Sequence, residues 1–511
     1  MDLGCHGPAR QVSEGAGGYD MHTRIVRGGT ALLCRQLLSV PLNAAGIGLA
    51  SRLLMPVDFG AQAILLPIIS LSVLVADLGT SKALVQRDAM PSLGLWRKVQ
   101  QLKFAGALVC VSVLGLLSPW LVHKFSLSRS LLLLFPACGL LGWLQSQRDL
   151  QAVGLSRQVE WGKLARVEVV EVLVHNLVLV GAAWWLRSAW CFALGLGARL
   201  AVGALILRVA TQRMHASDAG DEPIGPLLRF GVPSQVVIIP SILMGLVNPI
   251  VVGTLLGIDA VGLVNWSNFV VSLPRLPLLP LPSFLFSVLS ERRRQGRDDM
   301  LLLADATQLG TFLVSALCLV TIVGLETLVR YAFGTQWAVA VPLASILLLG
   351  NVVYFPSLIL AAVLEATGHT MAWLLVTVLQ VVLTWSLAAA GTAWFGLRGY
   401  ALGTLGALVA MFVAQSIVAQ KLTGFRIVWA DGLRSLLLVA LSAWTGQVLV
   451  MPLSGSVLIQ STVRCAIGMI VFGVLVLAIE RASFCRRITR LWGLWVRRDT
   501  SQARQFGRSR V

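Results

Sequence analysis

Charge is scarce in this chain of 511 residues. Asp, Glu, Lys and Arg together supply 13% of it, whereas 57% of the residues are hydrophobic. Soluble domains carry about twice that charge, so a soluble globular protein is excluded. Chemical motifs are equally rare. The six histidines are scattered, and no H-E-x-x-H, G-x-x-x-x-G-K-S/T or G-x-S-x-G occurs. The GLGAR around Gly195 and Gly197 follows no strand, so it is no nucleotide loop. An ATP-driven pump is thereby disfavoured. The eight cysteines form no C-x-x-C pair and fall mostly inside apolar runs. They read as reduced, space-filling thiols rather than disulfides or metal ligands, and no cofactor is expected.

What the chain does have is long apolar runs. Runs of about 20 residues, enough to cross about 30 Å of hydrocarbon as a helix, recur from about residue 30 to about residue 480. None shows the alternation of a membrane β-barrel. The fold class is therefore all-α and polytopic, with about fourteen transmembrane helices. Their centres fall near Pro41, Ser70, Val111, Leu140, Val178, Arg199, Met244, Leu276, Leu313, Val352, Val381, Leu408, Ala440 and Gly468. The expected organisation is a tail at 1–29, a six-helix lobe at 30–211, a linker at 212–230 and a second six-helix lobe at 231–420. Two additional helices at 421–480 and a basic tail at 481–511 follow. The first twenty residues lack an apolar h-region, so a cleavable signal peptide is not expected there; Met21, before the basic MHTRIVRGG, is an alternative start.

The net charge of +18 is explained by topology rather than by nucleic acid. With the N-terminus inside, about 31 of the 41 Lys and Arg lie on the cytoplasmic side. Both termini are then cytoplasmic, and basic groups such as Arg292, Arg293, Arg294 and Arg297 face anionic headgroups. No aromatics interleave them as nucleic-acid stacking would require. Loops on the other side are short, the longest running from about Glu326 to Ala340. No soluble domain is inserted, so the work of the protein lies within the helix bundle. A glycan polymerase or ligase would need a large outer loop with paired acids or an Arg-His set. Trp184, Trp185, Trp190, Trp337 and Trp394 read as interfacial belt aromatics.

An internal echo points to two halves. SRLLMPVDFG at 51–60 returns as GTLLGIDAVG at 253–262, an offset of about 200 residues or six spans. Two six-helix halves in parallel orientation are expected from it.

Residues 51–87, SRLLMPVDFGAQAILLPIISLSVLVADLGTSKALVQR, resemble the first helical hairpin of the oligosaccharide flippases. These are the polysaccharide-transport branch of the multidrug, oligosaccharidyl-lipid and polysaccharide exporter superfamily. There an "LLsPeDFG" turn is followed by "DLGl..ALVQR", matched here by Asp77, Leu78 and Gly79 and then by Ala83 to Arg87. QRDLQA at 147–152, RFGVPSQ at 229–235, VVGTLLGIDAVGLVNWSNFVVSLP at 251–274, FGTQWAVAVP at 333–342 and LEATGHT at 364–370 extend the similarity. It covers about 50 to 425. Where the family commonly has an Asn-Asp-Arg-like group in the seventh helix, this chain has Asn248 before Pro249, which leaves a hydrogen-bonding site without charge.

The resemblance implies a flippase that carries an undecaprenyl-diphosphate-linked oligosaccharide across a bacterial inner membrane by alternating access. Its partners would be that lipid-linked glycan, membrane lipids and the polymerase of the same glycan pathway; spans 13 and 14 would flank a groove for the lipid tail. Such cargo calls for cations in a wet cavity. A charge at membrane depth costs about 2.5–3.5 kcal/mol and marks a functional candidate.

Arg275 in the eighth span leads the candidates, set among Pro274, Pro277, Pro280 and Pro282, which bend a helix and free carbonyls for a cavity. A guanidinium there grips a phosphate bidentately; the alternative is a structural pair with another helix. Arg35, Arg199 and Asn248 complete the candidate substrate site, with snorkelling the rival role for Arg35. For coupling or gating, Asp77 is expected to pair with Arg35, or else to cap its helix. Glu168, Glu171 and His175 lie along one face of span 5, either as a relay for a coupling ion, H+ or Na+, or with the two acids reaching cytoplasmic water. Direction comes either from such an ion or from product removal. The rival reading is a cation-coupled drug or metabolite antiporter of the same superfamily, which would need acids at the centre of a more compact cavity.

Overall fold

The computed structural model describes residues 35–87, 91–158, 160–211, 222–275, 300–425, 429–448 and 459–478. Its elements are α1 (35–53), α2 (Pro56–Asp77), α3 (Thr80–Gln86), α4 (Leu93–Lys124), α5 (Leu134–Arg157), α6 (Trp161–Leu186) and α7 (Trp190–Thr211). After α8 (Gly225–Ser234) come α9 (Ile239–Leu256), α10 (Ile258–Ser272), α11 (Met300–Leu328) and α12 (Val341–Ala366). The segment Thr370–Thr423 is two helices, α13 (370–395) and α14 (397–423), and α15 (Trp429–Val448) and α16 (Ile459–Ala478) end the described chain. No strand occurs among the described residues. Among the described residues ten helical segments are long and apolar enough to cross a membrane. Every expected span centre falls on a helix except Leu276, which lies outside the described residues. The split of 166–211 is real, with α6 ending at Leu186 and α7 starting at Trp190.

MPVDFG turns out to be a helix start. Pro56 sits in the first turn of α2, where its missing N–H has no intrahelical partner to lose. Asp58 Oδ2 accepts the Met55 N–H at 3.0 Å, and the apolar run then carries the helix to Asp77. Leu78 (φ +46°) and Gly79 (φ +72°) turn left-handed and stop it.

The two halves meet along α2 and α10. A Cβ on Gly60 would strike the Ile258 carbonyl, and a Cβ on Gly262 would strike the Pro56 carbonyl. Glycine at both positions lets the backbones touch. Asn265 Nδ2 crosses the same seam to the Phe59 carbonyl (2.9 Å) and Gln62 Oε1 (3.0 Å). Beside it the helix of α11 continues through a π turn, Val329–Phe333, and a tight turn, Thr335–Ala340, leads into α12. Both Trp337 Nε1 (2.9 Å) and Gln336 Nε2 (2.7 Å) donate to the carbonyl of Ser51, at the end of α1. The two bonds cap one of the carbonyls that a helix C-terminus leaves unpaired. Trp337 is fully buried, stacked on Trp266 at 5.1 Å and edge-on to Phe59 at 4.9 Å. The sequence expectation of a belt aromatic at Trp337 is thus overturned: the expected outer loop folds inward as helix and seals the seam.

A second equivalence relates the halves. The α6–α7 turn, AWWLRS at 183–188, and the α13–α14 turn, AWFGLRG at 393–399, carry left-handed residues at Arg187 (φ +44°) and Gly396 (φ +60°). Trp184 and Trp185 are 70% and 81% exposed, and Trp394 and Phe395 77% and 69%. Each lobe therefore presents an aromatic pair at one tip, as interfacial anchors do.

α8 straddles the expected lobe boundary at 230/231, yet it packs on the N-terminal lobe. Leu227 joins a buried cluster with Ala83, Leu84, Leu95, Val99, Leu150 and Val153. Gly231 and Gly79 abut backbone to backbone, and Glu222 pairs with Arg87. The chain changes lobes at the short turn 236–238 between α8 and α9. α15 packs on α11 and α12, and Arg464 of α16 reaches Glu326 of α11 at 3.0 Å, so the last helix pair belongs to the C-terminal lobe.

Candidate functional site

Six helices of the N-terminal lobe aim charge at one another. Arg35 from α1 pairs with Glu168 of α6. Arg148 of α5 is the hub: its Nε lies 2.9 Å and its Nη2 3.3 Å from the two oxygens of Glu171, and Nη2 also reaches Glu168 at 3.2 Å. Arg199 of α7 stands 3.7 Å from Glu171, whose side chain is buried. Asp149 takes two 3.0 Å bonds from Gln145. Next to this group Asp77, at the end of α2, pairs with Lys103 of α4. Ser81 donates to the same carboxylate at 2.5 Å, and Lys103 reaches the Ser146 carbonyl of α5 at 3.2 Å. The Lys103 side chain is wholly buried, and all its donors are used.

The network is balanced. Arg35, Lys103, Arg148 and Arg199 face Asp77, Asp149, Glu168 and Glu171. Pairing offsets much of the desolvation that any one of these charges would suffer alone in a low-dielectric interior. His175, one turn beyond Glu171 on α6, lies against α7 at Gly195, where a Cβ would stand 3.2 Å from Nδ1. The expected relay face of Glu168, Glu171 and His175 thus abuts α5 and α7, and its two acids are engaged by arginines. Asp77 and Arg35 do not pair: Asp77 is taken by Lys103 and Arg35 by Glu168, because α4 and α6 bring those partners closer.

The C-terminal lobe differs. Asn248 opens a π turn, Asn248–Val252, within α9, and its Nδ2 donates to the Val261 carbonyl of α10 at 3.2 Å. Pro249 accounts for the irregular turn, since it removes one amide donor. Arg275 follows α10, with its guanidinium carbon over the Tyr354 ring of α12, 5.0 Å from the centroid. One turn earlier on each element, Asn351 Nδ2 of α12 donates to the Val271 carbonyl of α10 at 2.6 Å. Arg275, the only described residue of the proline-rich stretch beyond Pro274, is thereby held by α12 at two points. Pro277, Pro280 and Pro282 lie outside the described residues.

Sequence reasoning found five members of the N-terminal network, Arg35, Asp77, Glu168, Glu171 and Arg199, and missed Asp149 and the two cations Lys103 and Arg148. Both cations sit two to three turns inside a span, where a long cationic side chain ordinarily reaches the surface. The signal for Arg148 was its neighbours, since Gln145, Arg148 and Asp149 share one helical face. Tyr354, one of four tyrosines in the chain, carried no signal.

Two lobes of helices long and apolar enough to cross a membrane, joined at a seam where equivalent residues meet and each holding interior charge, define a polytopic, all-helical membrane protein. Residues 49–342 match the family described as polysaccharide biosynthesis protein. The match covers more than half of the chain, and the protein belongs to that family. Among solved structures it resembles the lipid II flippase MurJ in an inward closed conformation, with a TM-score of 0.60 and 12% identity over 89% of this chain and 99% of that one. An inward-facing multidrug resistance MATE family transporter of the MOP superfamily gives 0.58 and 16% identity, over 76% of this chain and 95% of its own. A MOP superfamily transporter from Pyrococcus furiosus gives 0.52 and 15% identity, over 78% and 95%. These likenesses establish a shared fold. No curated protein matches the chain.

Proposed function

We propose that the protein is a flippase that moves an undecaprenyl-diphosphate-linked oligosaccharide from the cytoplasmic to the outer leaflet of a bacterial inner membrane. In this reading fourteen helices span the bilayer, both termini are cytoplasmic and the lobes rock about a cavity between them. The observation that carries it is the contrast among interior cations. Arg35, Lys103, Arg148, Arg199 and Arg464 each face a carboxylate, whereas Arg275 rests on a ring. A cation whose charge is not spent on an acid suits an anionic cargo, and the diphosphate is the strongest anion that a lipid-linked glycan offers.

Arg275 holds the diphosphate, and Asn248 shapes the adjoining helix. Arg35 and Arg199 serve the cargo only after release from Glu168 and Glu171, so their part is gating. The half-buried Glu168 and buried Glu171, with Asp77 and His175, are the elements that an H+ or Na+ gradient would act on. They also favour the second reading, a cation-coupled drug or metabolite antiporter.

Complementation separates the two. A flippase-deficient, glycan-producing cell is expected to recover surface glycan with the wild-type gene and to lose it with Arg275→Ala at equal membrane abundance. Failure of well-expressed wild type in cells of several glycan types, together with gradient-dependent efflux of small cations, would favour the antiporter.

A further inference from the structure

We infer that Tyr354 is a positioning residue that presents Arg275 to a phosphate without consuming its charge; this rests on the proposed contact between Arg275 and the cargo diphosphate. An arginine inside a membrane protein needs a partner, because a guanidinium withdrawn from water without one bears the full desolvation cost, and a partner that holds it must outweigh the rotamer freedom lost. The N-terminal lobe holds its arginines with carboxylates, which also neutralise them. An aromatic face attracts the cation through its quadrupole and carries no net charge. It occupies the flat face of the guanidinium and leaves the in-plane N–H donors free, and those donors match a phosphate bidentately.

The backbone agrees with that division of labour. Asn351 fixes the last turn of α10 through the Val271 carbonyl at 2.6 Å, and Tyr354 lies three residues further along the same face of α12. Arg275 lies four residues beyond Val271, with its guanidinium carbon 5.0 Å from the ring centroid. One face of α12 therefore fixes both the root and the head of the arginine. Among the described residues no carboxylate lies within ion-pair distance of Arg275. The chemical class selected is an anion of phosphate type, reached along the edge of the guanidinium, in its plane.

The test is binding of undecaprenyl diphosphate to the full chain in nanodiscs, for wild type, Arg275→Ala, Tyr354→Phe, Tyr354→Leu and the Arg275→Ala/Tyr354→Leu double variant, each checked for monodispersity. Arg275→Ala is expected to weaken binding by more than tenfold. Tyr354→Phe keeps the ring face and stays within about twofold, whereas Tyr354→Leu loses roughly tenfold. The double variant is expected to bind no more weakly than Arg275→Ala alone, since Tyr354 acts through the arginine. If Tyr354→Leu does not fold, Tyr354→Met carries the same comparison. Loss with Arg275→Ala but none with Tyr354→Leu would overturn the positioning role and leave the phosphate contact standing, and so would a double variant that loses the product of the two single effects. Unchanged binding by Arg275→Ala would remove the phosphate contact itself, and the role of Tyr354 with it.

Discussion

Gly60 and Gly262 occupy equivalent places in the two lobes, and each touches the backbone beside the other: Gly60 meets Ile258, and Gly262 meets Pro56. Pro56 and Ile258 are related by the same offset of about 200 residues as the glycines. The contact is reciprocal, as at a two-fold axis between subunits, where residue i meets j and j meets i. Backbone meets backbone at these two points, and Asn265 adds side-chain hydrogen bonds across the same seam.

A side chain at either glycine is therefore expected to hold this end of the bundle open. In a background free of reactive cysteines, Gln336→Cys stands at a half-buried position beside the seam in the wild type. Adding Gly60→Leu or Gly262→Leu is expected to raise its labelling by a membrane-impermeant maleimide several-fold, because overpacking of about 1–3 kcal/mol acts against the closed state. Equal labelling rates would show that the seam does not control access.

The Lys103–Asp77 pair gives a stability prediction. Lys103→Ala leaves a buried carboxylate without a cation, at a cost of about 3–5 kcal/mol, and the apparent melting temperature in detergent falls. Lys103→Met combined with Asp77→Leu removes both charges and is expected to recover most of that loss. Equal loss in the single and double variants would mean that packing, rather than charge, is what Lys103 supplies.

Arg148 predicts a coupling pattern. Arg148→Ala uncovers Glu168 and Glu171 together and is expected to lower folded abundance sharply. Adding Glu171→Gln restores part of it, because the amide needs no cation. If the acids serve gradient coupling, Glu171→Gln alone keeps cargo binding but loses stimulation of transport by an imposed pH or Na+ gradient. Unaltered stimulation would remove Glu171 from coupling.

The Trp337 bond to Ser51 can be weighed on its own. Trp337→Phe keeps the ring packing and loses one hydrogen bond, a cost of about 1 kcal/mol, whereas Trp337→Ala also empties a packed site and costs about 3–5 kcal/mol. Thermal unfolding of the two variants should rank them in that order; a Phe variant as unstable as Ala would place the whole effect in the bond.

Much of this architecture is legible in the residues themselves. Span positions follow from apolar length, and the echo of SRLLMPVDFG in GTLLGIDAVG marks the residues that meet at the seam. Arg275 stands out because a mid-span arginine is costly wherever it lies. Partners are another matter. Arg35 lies at a depth that suits Asp77, yet helix packing brings it to Glu168 and gives Asp77 to Lys103. FGTQW reads as an outer loop because it is short, polar and glycine-containing, while its tryptophan is drawn into the seam by Trp266 and Phe59. Tyr354 is invisible in one dimension, because its role depends wholly on which face of α12 meets the end of α10.

Translocation itself tests the central claim most directly. Protein reconstituted into liposomes with fluorescent undecaprenyl-diphosphate-linked oligosaccharide should move the glycan between leaflets, read as the fraction that a membrane-impermeant quencher or glycosidase reaches over time. Wild type is expected to equilibrate the leaflets, and Arg275→Ala at equal protein per vesicle to fall to the rate of empty liposomes. Transfer by Arg275→Ala at the wild-type rate, or no transfer by folded wild type with any of several glycan headgroups, would contradict the account.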